Sequence, residues 1–124
     1  MEEKLLGLIY NEMVNVLGLN YEYMEYTGPL KYPYITGEHY TTYYDIATGR
    51  LEGELLLEVW NRGKELDLIK VHDKIQSHFK KLIKYQDNMG FCIAYKNKQS
   101  SRTGDMDLKK IQIYLSTYTW KGEN

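Results

Sequence analysis

A largely alternating pattern of apolar and polar residues over positions 51–60 constrains the fold more than any other feature of the sequence. Side chains of a β-strand point in turn to opposite faces of its sheet, so a period of two predicts a strand with one buried face. That strand needs neighbouring strands and an apolar layer that covers its buried face. The inward set is Leu51, Leu55, Leu57 and Val59, and the outward set is Glu52, Glu54, Glu58 and Trp60.

Two segments carry apolar residues at helical spacing and can supply that layer. Residues 2–17 predict an amphipathic helix that ends at Gly18, where a left-handed C-terminal cap favours glycine. Residues 64–85 predict a second helix with an apolar stripe on one side and lysines on the other. The stripe comprises Leu68, Val71, Ile75, Phe79, Leu82 and Ile83, and the lysines are Lys70, Lys74, Lys80, Lys81 and Lys84.

Three further segments predict strands, at residues 33–44, 91–95 and 109–120. The polar segment 97–107 predicts a loop, either mobile or ordered only on assembly. The element order is then α-β-β-α-β-β. It predicts an α+β fold in which two helices pack on one face of a mostly antiparallel four-stranded sheet. A chain of 124 residues without internal repeats predicts a single domain over residues 1–124.

Composition limits the choice of partners. A formal net charge of -1 gives no global attraction to nucleic acid or to an anionic membrane. Neither a secretory signal nor a spanning segment is recognisable, because the longest apolar run is only Leu55–Leu57; we therefore expect a soluble protein and no membrane partner. The lone cysteine, Cys92, cannot form an intrachain disulfide and is predicted to be a buried strand residue.

The sequence offers no residues equipped for catalysis. His39, His72 and His78 lack the spacing of a zinc-binding pair, and we expect no metal and no cofactor. His72 falls in the apolar stripe and predicts a hydrogen-bonded core or interface histidine, whereas His78 borders the stripe and is expected to be solvated. Cys92 has no base nearby in the sequence, so the chain is predicted not to be an enzyme.

Tyrosines and lysines indicate surfaces that could bind partners. Nine of the 13 tyrosines lie between Tyr10 and Tyr44, which suits sheet faces and protein interfaces, although β-propensity alone explains the cluster equally well. The helical lysines, joined with Lys96, Lys98 and Arg102, could hold a nucleic-acid backbone. Such a face is more often simply solvated.

Two segments carry a resemblance to a known family. Residues 32–38 have the sequence Tyr-Pro-Tyr-Ile-Thr-Gly-Glu, and residues 58–62 end the alternating strand as Glu-Val-Trp-Asn-Arg, directly before the second helix. This pattern resembles the tail-completion and tail-terminator family of siphophages. The resemblance implies a ring, commonly a hexamer, that closes the head-proximal end of the tail tube, stops tube polymerisation and joins the tail to the head connector.

The resemblance also implies the partners. They are other copies of the chain, the tail tube protein and the head–tail connector protein, with DNA only passing through the ring. The protein is then expected in the host cytoplasm during assembly and afterwards in the tail or neck of the virion. Two alternatives stay open, a head-closure or neck connector subunit and a monomeric nucleic-acid- or protein-binding adaptor.

A closed ring needs heterologous contacts, in which one patch of each subunit meets a different patch of the next. Exposed aromatic residues, the glutamate row and the lysine face are candidate halves of such contacts. Members of the family share few functional side chains, so no catalytic or ligand-binding residue is carried over. The predicted interface residues are Tyr40, Tyr43, Glu52, Glu54, Glu58, Trp60, Lys70, Lys74 and Lys81.

Overall fold

Six strands and two helices make up the structure, a computed structural model that describes residues 2–101 and 103–122. The strands form one sheet in the order β1-β2-β3-β6-β5-β4, which curls into a half-barrel. The elements are α1 (Glu2–Tyr10), continued by a π-helical segment (Asn11–Val16), β1 (Tyr21–Tyr23), β2 (Tyr34–Asp45), β3 (Arg50–Arg62), α2 (Glu65–His78), β4 (Leu82–Gln86), β5 (Met89–Ser101) and β6 (Leu108–Lys121).

The predicted four-stranded antiparallel sheet is wrong. The sheet has six strands and is mixed, because β1 runs parallel to β2 while every other neighbouring pair is antiparallel. The order of elements is α-β-β-β-α-β-β-β instead of α-β-β-α-β-β. The two unpredicted strands, β1 and β4, are the shortest, and each forms one edge of the sheet.

Strand β4 takes the place of the last turns of the predicted helix 64–85. The helix ends at His78, and Phe79 leaves helical geometry with φ -99° and ψ 20°. Residues 82–86 then pair with the start of β5 through a tight turn at Asp87 and Asn88, whose φ angles of 52° and 60° are the left-handed values of a two-residue hairpin turn. Phe79 remains fully buried, so its apolar character serves the core and does not extend the helix.

The predicted loop 97–107 is partly wrong, because its first five residues are strand. Residues 97–101 extend β5, which pairs with β6 along its length, and β6 begins at Leu108. Only the connection between them lacks strand structure, and Arg102 lies outside the described residues. Residues 96–100 are exposed, which explains their polar composition without requiring a loop.

The core lies between the two helices and one face of the sheet. Strand β3 is central: it pairs with β2 on one side and with β6 on the other, and its inward side chains are fully buried, as the alternation predicts. The end of the first helix is also as predicted, since Gly18 has a φ of 67°. The buried cluster includes Leu5, Ile9 and Met13 from the first helix, Leu68 and Ile75 from α2, and Ile35, Leu55, Leu57, Phe91, Ile93, Ile113 and Leu115 from the sheet.

Aromatic rings cover a glycine on the strand next to each edge strand. Tyr21 of the edge strand β1 covers Gly37 of β2 so closely that a Cβ there would lie 2.5 Å from the tyrosine oxygen. Trp120 of β6 covers Gly90 of β5, beside the other edge strand β4, and a Cβ at Gly90 would lie 2.1 Å from the indole. Each glycine therefore makes room for one aromatic ring.

Replacing Gly37 with alanine should destabilise the protein. The new methyl group would collide with the buried ring of Tyr21, and overpacking of this kind lowers the free energy of unfolding by about 1–3 kcal/mol. Gly7→Ala is the matched control, because Gly7 lies in α1 where an added methyl group would have no atom within 4 Å, and it should stabilise by about 0.5–1 kcal/mol. Urea denaturation of both variants measures the difference, and equal effects would contradict the assignment.

Candidate assembly interface

The face of the sheet opposite the helices, here called the helix-free face, holds six of the nine predicted interface residues. Glu54 pairs with Tyr40 of β2 and Ser116 of β6 in adjacent ladders, so the outward side chains of three strands lie in transverse rows. The lysines are not on this face. The six residues that it brings together are Tyr40, Tyr43, Glu52, Glu54, Glu58 and Trp60.

The glutamate row of β3 is neutralised by cations of the same subunit. Each of its three carboxylates has a basic partner, and two of the three partners come from other strands. The three carboxylates are therefore not an unpaired acidic strip that a basic partner could bind. The pairs are Arg50 with Glu52 at 2.7 Å, Lys96 with Glu54 at 3.1 Å and Lys110 with Glu58 at 2.9 Å.

Four aromatic residues and two cations form one end of the helix-free face, here called the Trp60 cluster. Tyr34 lies opposite Trp60 in the β2–β3 ladder, and their rings are nearly parallel, 6.1 Å apart between centroids. The ammonium group of Lys110 lies 4.7 Å from the centre of the Trp60 ring on the same face. The members are Tyr26, Tyr32, Tyr34, Trp60, Arg62 and Lys110.

A second aromatic group, the Arg50 cluster, occupies the other end of this face. The Arg50 guanidinium lies 5.2 Å from the centre of the Tyr43 ring and 5.8 Å from that of Tyr118. Tyr118 contacts Trp120, and Trp120 contacts Tyr85 of β4, whose side chain is the most exposed in the group. The cluster crosses the sheet from β2 to β4.

Cys92 lies among these residues. It pairs with Tyr118 in the β5–β6 ladder and is half-buried on the helix-free face, so its prediction as a buried residue is wrong.

Sequence reasoning found part of each cluster and missed the basic partners. Arg50 and Lys110 lie outside the alternating segment. Arg50 is on the same face of β3 as Glu52, two residues before it, whereas only the β3–β6 register brings Lys110 beside Glu58. The signal that could have found Lys110 is the phase of β6, since Lys110, Gln112 and the tyrosines that follow occupy its outward positions. The register between distant strands cannot be read from the pattern of either strand alone.

The predicted lysine face is divided by the fold. Lys70 and Lys74 are exposed on α2, on the other layer of the molecule, and the acidic Asp73 lies between them. Lys81 lies between α2 and β4 and belongs to neither element. Lys96 is paired with Glu54 on the helix-free face, and Arg102 lies outside the described residues. A continuous basic groove therefore does not form from the described members of this set.

The hydroxyl groups of Tyr34 and Tyr40 on the helix-free face remain protonated at neutral pH, because their surroundings raise both pKa values. Burial raises the pKa of Tyr34, with Tyr32 and Glu58 adding to the shift. A hydrogen bond to Glu38 raises the pKa of Tyr40. The Tyr34 hydroxyl can therefore act as a hydrogen-bond donor to a partner, next to aromatic surface that a partner could bury, whereas the Tyr40 hydroxyl already donates to Glu38.

Two histidines join α2 to other elements. His72 is buried and its Nε2 lies 2.7 Å from the hydroxyl of Tyr95, as expected of a hydrogen-bonded core histidine. His78 is not solvated as predicted, because its Nε2 lies 3.2 Å from a carboxylate oxygen of Glu12. Glu12 is only 2% exposed and also lies 3.6 Å from the ammonium group of Lys84. This buried carboxylate thus connects the π-helical segment to α2 and to β4.

We expect Glu12 and His78 to be energetically coupled. Glu12→Gln and His78→Gln should each destabilise the protein, and the double variant should lose less than the sum, with a coupling of about 0.5–3 kcal/mol. A cycle between Glu12→Gln and Lys4→Gln is the control, since exposed Lys4 lies two turns away on α1 and should give additive effects. Additive losses in the Glu12–His78 cycle, measured by urea denaturation, would show that the pair does not stabilise the fold.

A third histidine, His39, lies buried between a carboxylate and a hydroxyl. Its Nε2 is 2.7 Å from the hydroxyl of Thr117, and its Nδ1 is 3.6 Å from the Glu2 carboxylate. Acid, imidazole and hydroxyl follow one another as in a nucleophilic triad. Thr117 is only 3% exposed, so no substrate can reach its hydroxyl in this conformation. The arrangement is suited to holding the first helix against β2 and β6.

Burial lowers the pKa of His39, and the Glu2 carboxylate opposes the shift without reversing it. The unfolded chain, in which a histidine has a pKa of about 6.5, therefore takes up a proton before the folded protein does. The stability that the neutral ring contributes is complete above this pH and is lost as the pH falls toward the folded-state pKa.

His39→Gln should flatten the pH dependence of stability. Between about pH 7.5 and about pH 5.5 the wild-type free energy of unfolding should fall more steeply than that of the variant, by up to about 1.4 kcal/mol per pH unit. His78→Gln is the matched control and should keep the His39 component. Identical slopes for wild type and His39→Gln in urea titrations would contradict the neutral, buried state of this ring.

Other kinds of site have little support. No three or more histidine, cysteine or acidic side chains among residues 2–101 and 103–122 are grouped to hold a metal ion. Within the same described residues, no helix has the length and apolar character needed to cross a bilayer. Neither a scan against protein-family models nor a search of curated proteins finds a match to the chain.

Proposed function

We propose that this chain is a tail-completion or tail-terminator subunit of a siphophage. Copies of it form a ring at the head-proximal end of the tail tube, stop tube polymerisation and join the tail to the head connector. One observation carries the proposal: the two segments of the resemblance, residues 32–38 and 58–62, lie side by side in the β2–β3 ladder. Tyr34 and Trp60, which come from the two segments, stack on the helix-free face.

The helix-free face has the composition of a protein interface. Interface cores are rich in tyrosine, tryptophan and arginine and poor in unpaired charges. Both clusters contain these residue types, and the glutamates between them are already paired with cations. Covering such pairs leaves no uncompensated charge behind, which is the main penalty for burying charged groups.

Nucleic-acid binding is less favoured by the same surface. An aromatic sheet face that binds single strands needs a positive potential along the backbone path. Here Arg50, Lys96 and Lys110 are already paired with the three glutamates of β3, and Glu38 lies on the adjacent strand, so these residues offer little unpaired positive charge to phosphates. DNA is therefore expected only to pass through the ring.

A head-closure or neck connector subunit is the second candidate. It would use the same self-associating ring and the same aromatic face, and it differs only in the partner at each end of the ring. In either role the protein acts in the host cytoplasm during assembly and in the virion afterwards, without catalysis and without a cofactor.

The ring proposal predicts a discrete closed oligomer in native mass spectrometry across a concentration series. Trp60→Ala should leave this oligomer intact but weaken its binding to the tail tube, because it removes the centre of the Trp60 cluster that is offered to a partner protein. Tyr10→Ala is the matched control, since Tyr10 is an exposed aromatic residue of α1, away from the helix-free face.

The terminator role itself is tested with the tail tube protein from the same genome. Adding the chain to polymerising tubes should shorten them in electron micrographs, and the chain should be found at one tube end. A chain that stays monomeric and leaves tube length unchanged is not a terminator. Salt-sensitive binding to single-stranded DNA under those conditions would favour the adaptor.

A further inference from the structure

Both edges of the sheet are covered over only half their length. Strand β1 pairs with residues 35–37 of β2, and the Tyr23 hydroxyl accepts from the amide of His39. Strand β4 pairs with residues 89–93 of β5. Among the residues that the structure describes, no strand pairs with the outer side of β2 at residues 40–45 or of β5 at residues 96–101. The molecule therefore has two open edge segments of six residues each.

The two open segments run in opposite directions and lie at opposite ends of the sheet. Three antiparallel steps lead from β2 through β3 and β6 to β5, so β2 and β5 are antiparallel. The open part of β2 lies at the end of the sheet where Leu51 faces Thr119. The open part of β5 lies at the other end, where Ser101 faces Lys110.

The side chains of the two segments differ in a way that favours each as the partner of the other. Residues 40–44 carry only tyrosines and threonines, without the charges or prolines that protect exposed edges from pairing. Acidic groups flank this segment, because Glu2 accepts a hydrogen bond from Thr41 and Asp45 follows Tyr44. Residues 96–101 instead include Lys98, together with Lys96, which is already paired with Glu54 of the same copy.

We propose that copies of this chain join by strand addition, with residues 97–101 of one copy pairing antiparallel with residues 41–45 of the next. The contact is heterologous, because each copy uses a different edge toward each neighbour. For its closure into a ring the proposal rests on the function proposed above, whereas the pairing itself rests on the two open edges. A continuous antiparallel sheet then runs through successive copies.

The short edge strands fix the offset between copies. Strand β1 of one copy and β5 of its neighbour would both lie along the outer edge of β2. Strand β1 pairs with residues 35–37, and the neighbour's β5 would pair with the part of β2 that follows. With Tyr43 opposite Gln99 of the neighbour, each copy is displaced by six ladder positions, or about 20 Å along the strands. The four strands β2, β3, β6 and β5 span about 19 Å across the sheet, so this stagger corresponds to a strand tilt of about 45°, at the upper end of the tilt of closed barrels.

This offset also brings together exposed side chains at the ends of the shared segment. Met106, in the β5–β6 connection, is 96% exposed, and it would lie near Met24, which is 58% exposed and directly follows β1. At the other end the hairpin residue Asp45 would lie near Lys81, just before β4. An apolar pair and an ion pair would thus flank the shared strands, and Lys81 would gain the interface role predicted from sequence.

Chemical cross-linking between two single-cysteine variants tests the pairing. In a Cys92→Ser background, Tyr43→Cys and Gln99→Cys both place a thiol on the helix-free face, and the proposed register sets them opposite each other. A short bismaleimide should give covalent dimers when the two variants are mixed and none with either variant alone. A second pair, Tyr44→Cys with Lys98→Cys, tests the same register on the opposite face.

The control replaces Gln99→Cys with Tyr85→Cys, an equally accessible thiol at 74% exposure on β4, which should give no dimer with Tyr43→Cys. Dimers from one variant alone would indicate a two-fold contact and overturn the proposal, as would the absence of dimers from both mixed pairs. Cross-linking of Tyr43→Cys to the tail tube protein instead of to Gln99→Cys would overturn it as well.

The outcome is separable from that of the proposed function. If wild-type protein caps tubes but neither mixed pair cross-links, the strand pairing is wrong and the terminator role stands. If both mixed pairs cross-link and tube length is unchanged, the strand pairing stands and the terminator role is wrong.

Discussion

Pairing of β3 with strands on both sides is the constraint on which the rest of the structure depends. Thirteen residues of β3 form ladders with β2 and β6, so its alternation sets the faces of all three strands. One face supplies fully buried aliphatic side chains to the core beneath the helices. The other face carries the glutamates and Trp60. A slip of one residue would exchange these two faces, and the buried glutamates that resulted would exclude the alternative register.

Sequence reasoning was correct where the residues of one element determine its structure, and wrong where contacts with another element determine it. The alternation of β3 and the end of the first helix at Gly18 are local properties, and both were predicted. Strand β4 was missed because Leu82 and Ile83 continue the helical spacing from Phe79, and only the left-handed turn at Asp87 and Asn88 distinguishes a hairpin from a helix. Gly90 of β5 is a further example, because the reason for a glycine there is the ring of Trp120, a residue distant in sequence.

The interface prediction shows the same difference between what one element determines and what depends on its neighbours. Tyr40, Glu54 and Trp60 lie on one surface because they belong to one hairpin. The helical lysines, predicted as another half of the subunit contacts, lie on α2, which packs on the other face of the sheet with its exposed side away from β3. No pattern within α2 could give that relation, because it depends on which layer the helix joins. Whether these surfaces bind partners remains a prediction.

When copies of a chain with two unlike open edges join in a linear series, one edge of each kind always stays unpaired at the two ends. Each added copy covers one edge and exposes another of the same kind, so a linear series always ends in an open β2 segment and an open β5 segment. Closure removes both ends at once and makes the last contact intramolecular, which strengthens the ring without any new type of contact. In the proposed assembly, the curl of the sheet and the stagger set by β1 and β4 would favour closure over an unlimited filament. The short edge strands, which were not predicted from the sequence, would then determine how many copies the ring contains, because they set the stagger between copies.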